Sequence, residues 1–209
     1  MKKINTSAVL ILLISVGFSF IAKKPKWISL FDGKTLNGWK VGENASSFKV
    51  EDGAIVVNGP VGHLFYDGIV GNHNFKNFEF KAQVMTTPGS NSGLYFHTKY
   101  QEKSWPSIGF EVQVNNSHTD WKRTASLYNI QDVKEVFVDD NVWFTETIIV
   151  QGKHIITKIN DKVVVNYTEP EDIDPSNGRK IGSGTFAIQA HDPKSKVYVK
   201  DIMVKILPD

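Results

Sequence analysis

The sequence predicts an all-β domain, a sandwich or jelly roll of short antiparallel strands. From Trp27 onward, apolar residues alternate with polar ones or form short runs, which is typical of strands rather than helices. Gly, Asn, Asp or Pro interrupts this pattern every eight to fourteen residues, as expected where turns join strands. No stretch keeps apolar residues at helical spacing for three or more turns.

The length and composition fit one globular domain with a substantial core. The chain has 209 residues, of which 41% are hydrophobic and 22% charged, so neither a disordered nor a fibrous chain is expected. It contains no cysteine, which excludes a thiol nucleophile, a thiolate metal site and disulfides. The formal net charge of +2 falls to zero if Lys2 and Lys3 are removed with a leader segment. The charge therefore gives no reason to expect nucleic-acid binding.

Residues 1–22 are typical of a secretory signal peptide. Lys2 and Lys3 precede an uncharged apolar stretch over residues 8–22, and the basic segment Lys23–Pro25 follows it. A transmembrane anchor is the alternative, but a membrane span needs about 20 apolar residues and this stretch is shorter. We expect cleavage, no stable membrane anchor afterwards, and a periplasmic or secreted protein. The lack of cysteine fits the periplasm better than a disulfide-linked extracellular protein.

Eleven strands are predicted in the rest of the chain, each bounded by turn residues. They are Phe48–Val50, Ala54–Val57, Phe75–Val84, Gly93–Thr98, Gly109–Val114, Ala125–Tyr128, Trp143–Gln151, His154–Ile159, Lys162–Val165, Gly184–Ala190 and Lys196–Ile206. Turn residues around Gly152 and at Asn160-Asp161 predict that the segment 148–167 forms a meander of three antiparallel strands. No repeat or linker divides the chain after the leader, so one domain is predicted.

Side chains of successive strand residues point to opposite faces of a sheet, so each strand divides into two sets. The apolar sets, expected between two sheets, are Leu94, Phe96, Phe110, Val112, Val114, Phe186, Ile188 and Ala190. The opposite sets contain Tyr95, His97, Glu111, Gln113, Tyr128, Gln189 and His191. This second group is rich in aromatic and hydrogen-bonding side chains, which predicts a concave face that binds a polyhydroxylated ligand. A plain solvated face would show the same alternation and is the alternative.

The other four histidines lie in or near predicted turns and are interpreted as residues without a ligand-binding role. They are His63, His73, His118 and His154. Neither an HExxH motif nor an HxH pair occurs, so the sequence gives little support for a zinc centre.

Five segments together resemble the 3-keto-disaccharide hydrolase domain family. They are ISLFDGKTLNGWK (28–40), NSGLYFHT (91–98), GFEVQV (109–114), TASLYNI (124–130) and GTFAIQAHDPKSKVYVKDIMVKIL (184–207). The resemblance covers residues 27–207, nearly the whole chain after the leader. It implies a concanavalin A-like jelly-roll sandwich of two curved antiparallel sheets, with a ligand site on the concave one. It also implies an exported bacterial hydrolase that acts on 3-keto-glycosides or 3-keto-disaccharides.

A sugar oxidised at C3 makes modest demands on its enzyme. The ketone acidifies the C2 proton and permits loss of the anomeric substituent by elimination, followed by addition of water. One base, one acid and a group that polarises the ketone suffice. Glu111, His191 and His97 are the candidates for acid and base, and which of them fills which role is left open. The candidates for binding the substrate are Tyr95, Gln113, Tyr128 and Gln189.

The strand that carries Glu111 does not suit an ordinary glycosidase. Such enzymes need a pair of carboxyl groups, whereas Gln113 and Asn115 occupy the following alternate positions. A divalent cation that polarises the ketone is a further alternative, with Glu111, His191 and Asp192 as ligands; a turn role for Asp192 before a proline is favoured over this. A non-catalytic carbohydrate-binding module is the alternative function.

Overall fold

The computed structural model describes residues 24–174 and 179–209. The predicted signal peptide, residues 1–22, lies outside the described residues. Within the two described ranges, no helix has both the length and the apolar character that crossing a membrane requires.

The described part of the chain consists mainly of strands. They are β1 (Ile28–Ser29), β2 (Trp39–Val41), β3 (Phe48–Glu51), β4 (Ala54–Val57), β5 (Gly62–Tyr66), β6 (Phe78–Thr86), β7 (Ser92–Thr98), β8 (Phe110–Val114), β9 (Phe144–Gln151), β10 (His154–Ile159), β11 (Lys162–Thr168), β12 (Thr185–Ala190) and β13 (Val197–Ile206). Two short 3₁₀ helices cover Ala45–Ser47 and Val70–His73.

The strands form two antiparallel sheets. The larger sheet has the order β11-β10-β9-β6-β13-β4-β3, with β1 paired to β13, and the smaller sheet has the order β2-β5-β12-β7-β8. The predicted all-β, jelly-roll sandwich of two antiparallel sheets is therefore confirmed. The predicted meander is also confirmed, because β9 pairs with β10 and β10 pairs with β11.

The core lies between the two sheets. Phe186 of the smaller sheet has its ring centroid 4.6 Å from that of Phe80 and 4.9 Å from that of Phe78, both on the larger sheet. Phe96 likewise lies 5.8 Å from Phe78. The apolar sets predicted from the alternation all belong to this buried cluster, so the register of these strands is as predicted.

Four features of the strand pattern differ from the prediction: the segment Ala125–Tyr128 is not a strand, and the strands β1, β2 and β5 were not predicted. The segment Ala125–Tyr128 is not a strand, because Ala125 has a left-handed φ of 69° and only Leu127 forms isolated bridges. Strand β5 was not predicted, since both of its faces are covered and all five of its residues are buried, which removes the alternation. His63 is therefore a buried strand residue and not, as predicted, a residue in or near a turn.

Candidate active site

A cleft of about 260 Å³ opens on the smaller sheet, on the face opposite the core. It brings together six of the seven predicted site residues, namely Tyr95, Glu111, Gln113, Tyr128, Gln189 and His191. The strands β7, β8 and β12 supply most of them, and loops supply the rest of the wall. The alternation in the sequence thus placed these side chains on one face correctly.

Glu111 is held at the bottom of the cleft by two neighbouring strands. It lies opposite Tyr95 in the pairing of β7 with β8. The Tyr95 hydroxyl donates to Glu111 Oε2 at 2.8 Å, and Gln189 Nε2 donates to Glu111 Oε1 at 2.9 Å. Gln189 Nε2 also lies 3.0 Å from the Tyr95 hydroxyl oxygen. Each carboxyl oxygen therefore has a fixed donor, which orients Glu111 in the cleft.

Gly93 makes room for this carboxyl group. A Cβ at position 93 would lie 2.5 Å from Glu111 Oε1 and 2.9 Å from Glu111 Cγ, closer than any ordinary contact. The backbone of Gly93 has no left-handed φ. Space for the Glu111 side chain is thus the reason that the structure gives for glycine at this position.

Burial controls the protonation of Glu111 and Tyr95. Burial raises the pKa of Glu111, while hydrogen bonds from Tyr95 and Gln189 and the nearby charges of Arg179 and His191 oppose the shift. Burial, followed by the charge of Glu111, raises the pKa of Tyr95, so this hydroxyl keeps its proton. A carboxyl group with a raised pKa can hold or release a proton closer to neutral pH, which suits acid–base chemistry.

His191 lines the cleft, and its ring contacts the carboxylate of Asp192. Its Nδ1 is 2.8 Å from Asp192 Oδ2. Partial burial alone would raise the pKa of Asp192, but hydrogen bonds from His191, Ser195 and Lys194 outweigh burial and lower the pKa to about 2. Asp192 is a turn residue, as favoured from the sequence, because its Oδ1 accepts from the backbone amides of Lys194 and Ser195.

His118, for which the sequence predicts no ligand-binding role, lies next to His191 at the cleft. The two ring centroids are 5.5 Å apart. His118 Nδ1 accepts a hydrogen bond from the Asp120 backbone amide at 3.0 Å. Since His118 lies in the loop after β8, strand periodicity could not place it, and only the folded loop brings it next to His191.

His118, His191 and Asp192 lie close enough together to be considered as ligands of one cation. Ligand atoms of His118, His191 and Asp192 all lie within 4.8 Å of one another. However, Asp192 already accepts four hydrogen bonds, and the Asp120 amide occupies His118 Nδ1. Glu111, the other predicted ligand, is held by Tyr95 and Gln189. A cation bound to His118, His191 and Asp192 would have to displace a hydrogen bond of Asp192, because a carboxylate offers about four lone-pair sites and Asp192 already uses them.

An aromatic wall closes one side of the cleft, and the sequence did not predict it. Trp105, in the loop between β7 and β8, is 44% exposed and lines the cleft. Its ring centroid lies 5.5 Å from that of His63 and 5.7 Å from that of His191. His63 also packs edge-on against Tyr95 at 5.3 Å, and burial lowers the pKa of His63 to about 4. An exposed indole offers a surface on which the apolar face of a sugar ring can stack.

Two amide side chains have carbonyl oxygens that accept no hydrogen bond from any described residue. Gln113 Nε2 donates to Asn91 Oδ1 at 2.7 Å, and Gln189 Nε2 is used by Glu111 and Tyr95. Within residues 24–174 and 179–209, Gln113 Oε1 and Gln189 Oε1 have no hydrogen-bond partner although both are buried. Buried polar atoms are normally paired. Both side chains line the cleft, but the two oxygens themselves are covered, so a ligand hydroxyl reaches them only if these amide groups turn.

Tyr128 lines the cleft beside two cationic side chains. Its backbone carbonyl accepts from the Arg179 guanidinium, and the Arg179 side chain lies 5.6 Å from the Tyr128 ring centroid. Lys122 Nζ lies 3.8 Å from the same centroid. Arg179 and Asp120 also line the cleft; both come from loops and were not predicted from the sequence.

His97 is the predicted site residue that does not line the cleft. It has a left-handed φ of 53°, and the pairing of β12 with β7 shifts register between Thr185 and Ala187. Its ring packs 5.6 Å from that of Phe78, a core residue. Its Nε2 lies 2.9 Å from the Lys76 carbonyl oxygen, and its Nδ1 accepts from the Gly182 amide at 3.4 Å.

Burial lowers the pKa of His97 to about 4, against the effect of the Lys76 carbonyl, so the ring is neutral near pH 7. Both nitrogens are used in holding the chain. The alternation argument failed here because the backbone twists out of the regular strand conformation.

Comparisons with known proteins identify the family of the chain. The family model of the 3-keto-alpha-glucoside-1,2-lyase-like domain matches residues 26–205. The chain is 30% identical over 168 residues to a 3-keto-disaccharide hydrolase of Bacteroides thetaiotaomicron, a match that covers 68% of this chain. The match covers 58% of that relative, so this chain corresponds to somewhat less than two thirds of its length.

Solved structures show the same fold at lower identity. A protein of Parabacteroides distasonis assigned as a glycosyl hydrolase aligns with a TM-score of 0.72 and 22% identity, over 87% of this chain and 94% of that one. The carbohydrate-binding module CBM66 of Bacillus subtilis aligns with a TM-score of 0.58 and 10% identity, over 80% of this chain and 95% of that one. The fold is thus found both in a protein assigned as a hydrolase and in a binding module.

Proposed function

Because the chain belongs to the 3-keto-alpha-glucoside-1,2-lyase-like domain family, we propose that it is an exported hydrolase of 3-keto-glycosides or 3-keto-disaccharides. The observation that carries this proposal is the Glu111 carboxyl group, buried, oriented by Tyr95 and Gln189, and sharing a cleft with His191. The similarity to a 3-keto-disaccharide hydrolase supports the substrate class. Export is proposed from the character of residues 1–22.

The proposed reaction is an elimination followed by a hydration. A base removes the C2 proton, and the electron pair of that bond forms an enolate with the C3 carbonyl. The enolate then expels the anomeric oxygen from C1, which takes a proton from an acid and leaves a C1=C2 double bond conjugated with the ketone. Water adds at C1 and a proton returns to C2. The sum of the two stages is hydrolysis of the glycosidic bond.

The residues of the cleft meet each requirement of this sequence. Glu111 and His191 supply the acid and the base, since both line the cleft and can exchange protons. The amide side chains of Gln113 and Gln189 line the cleft and are the groups proposed to bind sugar hydroxyls. Trp105 provides a face for the pyranose ring. The positive charge of Arg179, which also lines the cleft, favours the negative charge that develops during the elimination.

A non-catalytic sugar-binding domain is the second candidate. It is favoured by the exposed Trp105 at the rim and by the likeness in fold to a carbohydrate-binding module. Binding alone would use the same aromatic wall and amide groups. It would not explain a buried carboxyl group with a raised pKa beside an imidazole.

One assay separates the two candidates. The mature protein is incubated with a 3-keto-glucoside carrying a chromogenic aglycone and, as the matched control, with its unoxidised parent. We expect the aglycone to be released from the oxidised compound only, and deuterium from D₂O to enter C2. Binding of both compounds without release of aglycone from either would contradict the hydrolase and favour the binding module. The mass of the exported protein, expected to begin between residues 20 and 26, tests the export.

A further inference from the structure

The carboxylate of Asp192 is fixed by the turn that follows β12. Its Oδ1 accepts from the Lys194 amide at 2.8 Å and the Ser195 amide at 3.1 Å. Its Oδ2 accepts from the Ser195 hydroxyl at 2.7 Å. The same Oδ2 lies 2.8 Å from His191 Nδ1. The turn therefore aims one carboxylate oxygen at one nitrogen of a ring at the cleft.

This contact determines where the hydrogen of His191 lies. An ionised carboxylate can only accept hydrogen bonds, so His191 Nδ1 must be the donor. In a neutral imidazole, the other nitrogen then carries a lone pair. Among the described residues, no hydrogen bond occupies His191 Nε2, and His191 lines the cleft.

His118, next to His191, shows the opposite arrangement. The Asp120 backbone amide can only donate, so His118 Nδ1 accepts from it and carries no hydrogen in the neutral ring. The hydrogen of His118 then lies on Nε2. Two rings 5.5 Å apart are thus held in complementary tautomers, one with a free lone pair and one with a free N–H.

We propose that Asp192 is a positioning residue that fixes the tautomer of His191 and thereby makes His191 Nε2 the base of the cleft. The identity of the proton that is removed rests on the proposed function. In that reaction, the C2 proton passes to His191 Nε2, and the ionised Asp192 stabilises the imidazolium that forms. The C2–H electron pair moves toward the ketone and then expels the anomeric oxygen. Glu111 is left to protonate that oxygen, and His191 returns its proton to C2 when water adds at C1.

The test variant is Asp192→Asn. An amide has one accepting oxygen, which the two backbone amides of the turn retain, so its NH₂ group faces His191 Nδ1. His191 Nδ1 must then accept, and the hydrogen moves to Nε2. The turnover of a 3-keto-glucoside is expected to fall by at least about 100-fold, the lower range for loss of a positioned base. The KM should stay within about threefold, because Asp192 does not line the cleft.

Ser195→Ala is the matched control. It removes one hydrogen bond to Asp192 Oδ2 and the acceptor for the Asn91 amide, yet it leaves the carboxylate facing His191. A merely structural role for the turn predicts similar losses in the two variants. The positioning role predicts that Ser195→Ala keeps turnover within about threefold.

The pH profile gives a readout that a structural role would not change. The titratable and charged groups around His191 are Asp192, His118, Asp120, Glu111 and Arg179. Since the imidazolium loses its carboxylate partner in Asp192→Asn, the low-pH limb of kcat/KM should move to lower pH. If Asp192→Asn has a reduced turnover but the same low-pH limb of kcat/KM as the wild type, the proposal is overturned.

The ¹⁵N NMR signals of the imidazole rings report the tautomer without any substrate. We expect the wild type to carry the His191 hydrogen on Nδ1 and Asp192→Asn to carry it on Nε2. The same tautomer in both proteins would overturn the proposal.

Loss of wild-type activity on chelation, with recovery on addition of Mn²⁺, would also overturn the proposal, because it would make His191 and Asp192 ligands of a cation. A shift of tautomer in a protein that cleaves no 3-keto-glycoside would uphold the role of Asp192 and overturn the proposed substrate.

Discussion

Two buried glutamates, one in each sheet, show what distinguishes a site from a core. Glu111 lies on β8 of the smaller sheet and Glu146 on β9 of the larger one, and both are almost fully buried. Glu111 faces the cleft, and each of its oxygens has a fixed donor. Glu146 alternates in phase with Phe144 and Ile148, so it faces the core between the sheets. Within the described part of the chain, neither Glu146 oxygen has a hydrogen-bond partner.

The difference lies in the surroundings and not in burial itself. Burial raises the pKa of both carboxyl groups. For Glu111, two hydrogen-bond donors and the nearby side chains of Arg179 and His191 oppose the shift. For Glu146, the Ala125 backbone opposes it electrostatically but does not reach hydrogen-bond geometry. A raised pKa alone therefore does not identify a catalytic carboxyl group; donors that orient it and an open cleft are also needed.

The largest effect is expected for Glu111→Gln. The amide keeps the shape of the side chain but cannot exchange a proton, so turnover of a 3-keto-glycoside should fall by at least about 100-fold. Binding of the sugar should persist, because Gln113, Gln189 and Trp105 remain. Turnover measured by release of aglycone and affinity measured by calorimetry test the two statements.

Two controls sharpen this result. Glu146→Gln makes the same change in the core and should keep turnover within about threefold. His154→Ala changes a residue of the meander, whose ring contacts Asn166, and should keep turnover within about twofold, because exposed substitutions rarely cost more than about 0.5 kcal/mol. Full activity of the Glu111 variant would show that the catalytic strand is wrongly assigned, although the family would still hold.

Gly93→Ala should give the next largest effect, since it moves the orienting contacts without removing the carboxyl group. The added Cβ would lie 2.5 Å from Glu111 Oε1, so Glu111 must leave its place between Tyr95 and Gln189. We expect about a tenfold loss of turnover and a loss of stability of about 1–3 kcal/mol, typical of overpacking.

Gly182→Ala is the matched control for this substitution, because no atom lies within 4 Å of the Cβ that it would add. Enzyme assays and urea unfolding of both variants provide the measurement. Adding Gly93→Ala to Glu111→Gln should cause little further loss of turnover, because both act through one group. Simple additivity of the two losses would mean that Gly93 acts by another route.

The sequence predicted the part of the site that regular strands build. Tyr95, Glu111, Gln113 and Gln189 follow from alternation, because β7 and β8 pair without a register shift and β12 pairs regularly with β7 from Ala187 onward. His97 does not, since its left-handed backbone breaks the alternation within β7. The fold class was likewise predictable, whereas β5 was not, because both of its faces are covered and its five residues show no regular alternation of polar and apolar side chains.

The loop residues of the site could not be placed in the same way. Loops bring Trp105, His118 and Arg179 to the cleft. The path of a loop leaves no periodic pattern in the sequence, so it could not be predicted. The sequence predicts Asp192 as a turn residue before Pro193, and the hydrogen bonds of its side chain to the Lys194 and Ser195 amides confirm this. Its contact with His191 adds a second role that the pattern of turn residues does not indicate.

The smallest effect is expected for Glu146→Gln, and its sign depends on pH. Because the pKa of Glu146 in the folded protein is raised well above its ordinary value of 4.5, the folded state keeps the proton while the unfolded state loses it. The wild type should therefore lose stability as the pH rises above about 4.5, by up to about 1.4 kcal/mol per pH unit until the folded-state pKa is reached. Glutamine does not titrate. Between pH 5 and pH 7, the stability of Glu146→Gln relative to wild type should thus rise with pH, whatever its absolute value at pH 5. Urea unfolding at the two pH values measures this difference.

Glu171→Gln is the control, because a hydrogen bond from Lys153 lowers the pKa of that exposed carboxyl group and so moves its titration below this range. A relative stability of Glu146→Gln that stays constant from pH 5 to pH 7 would show that the core accommodates the ionised carboxylate, and the contrast with Glu111 would be lost.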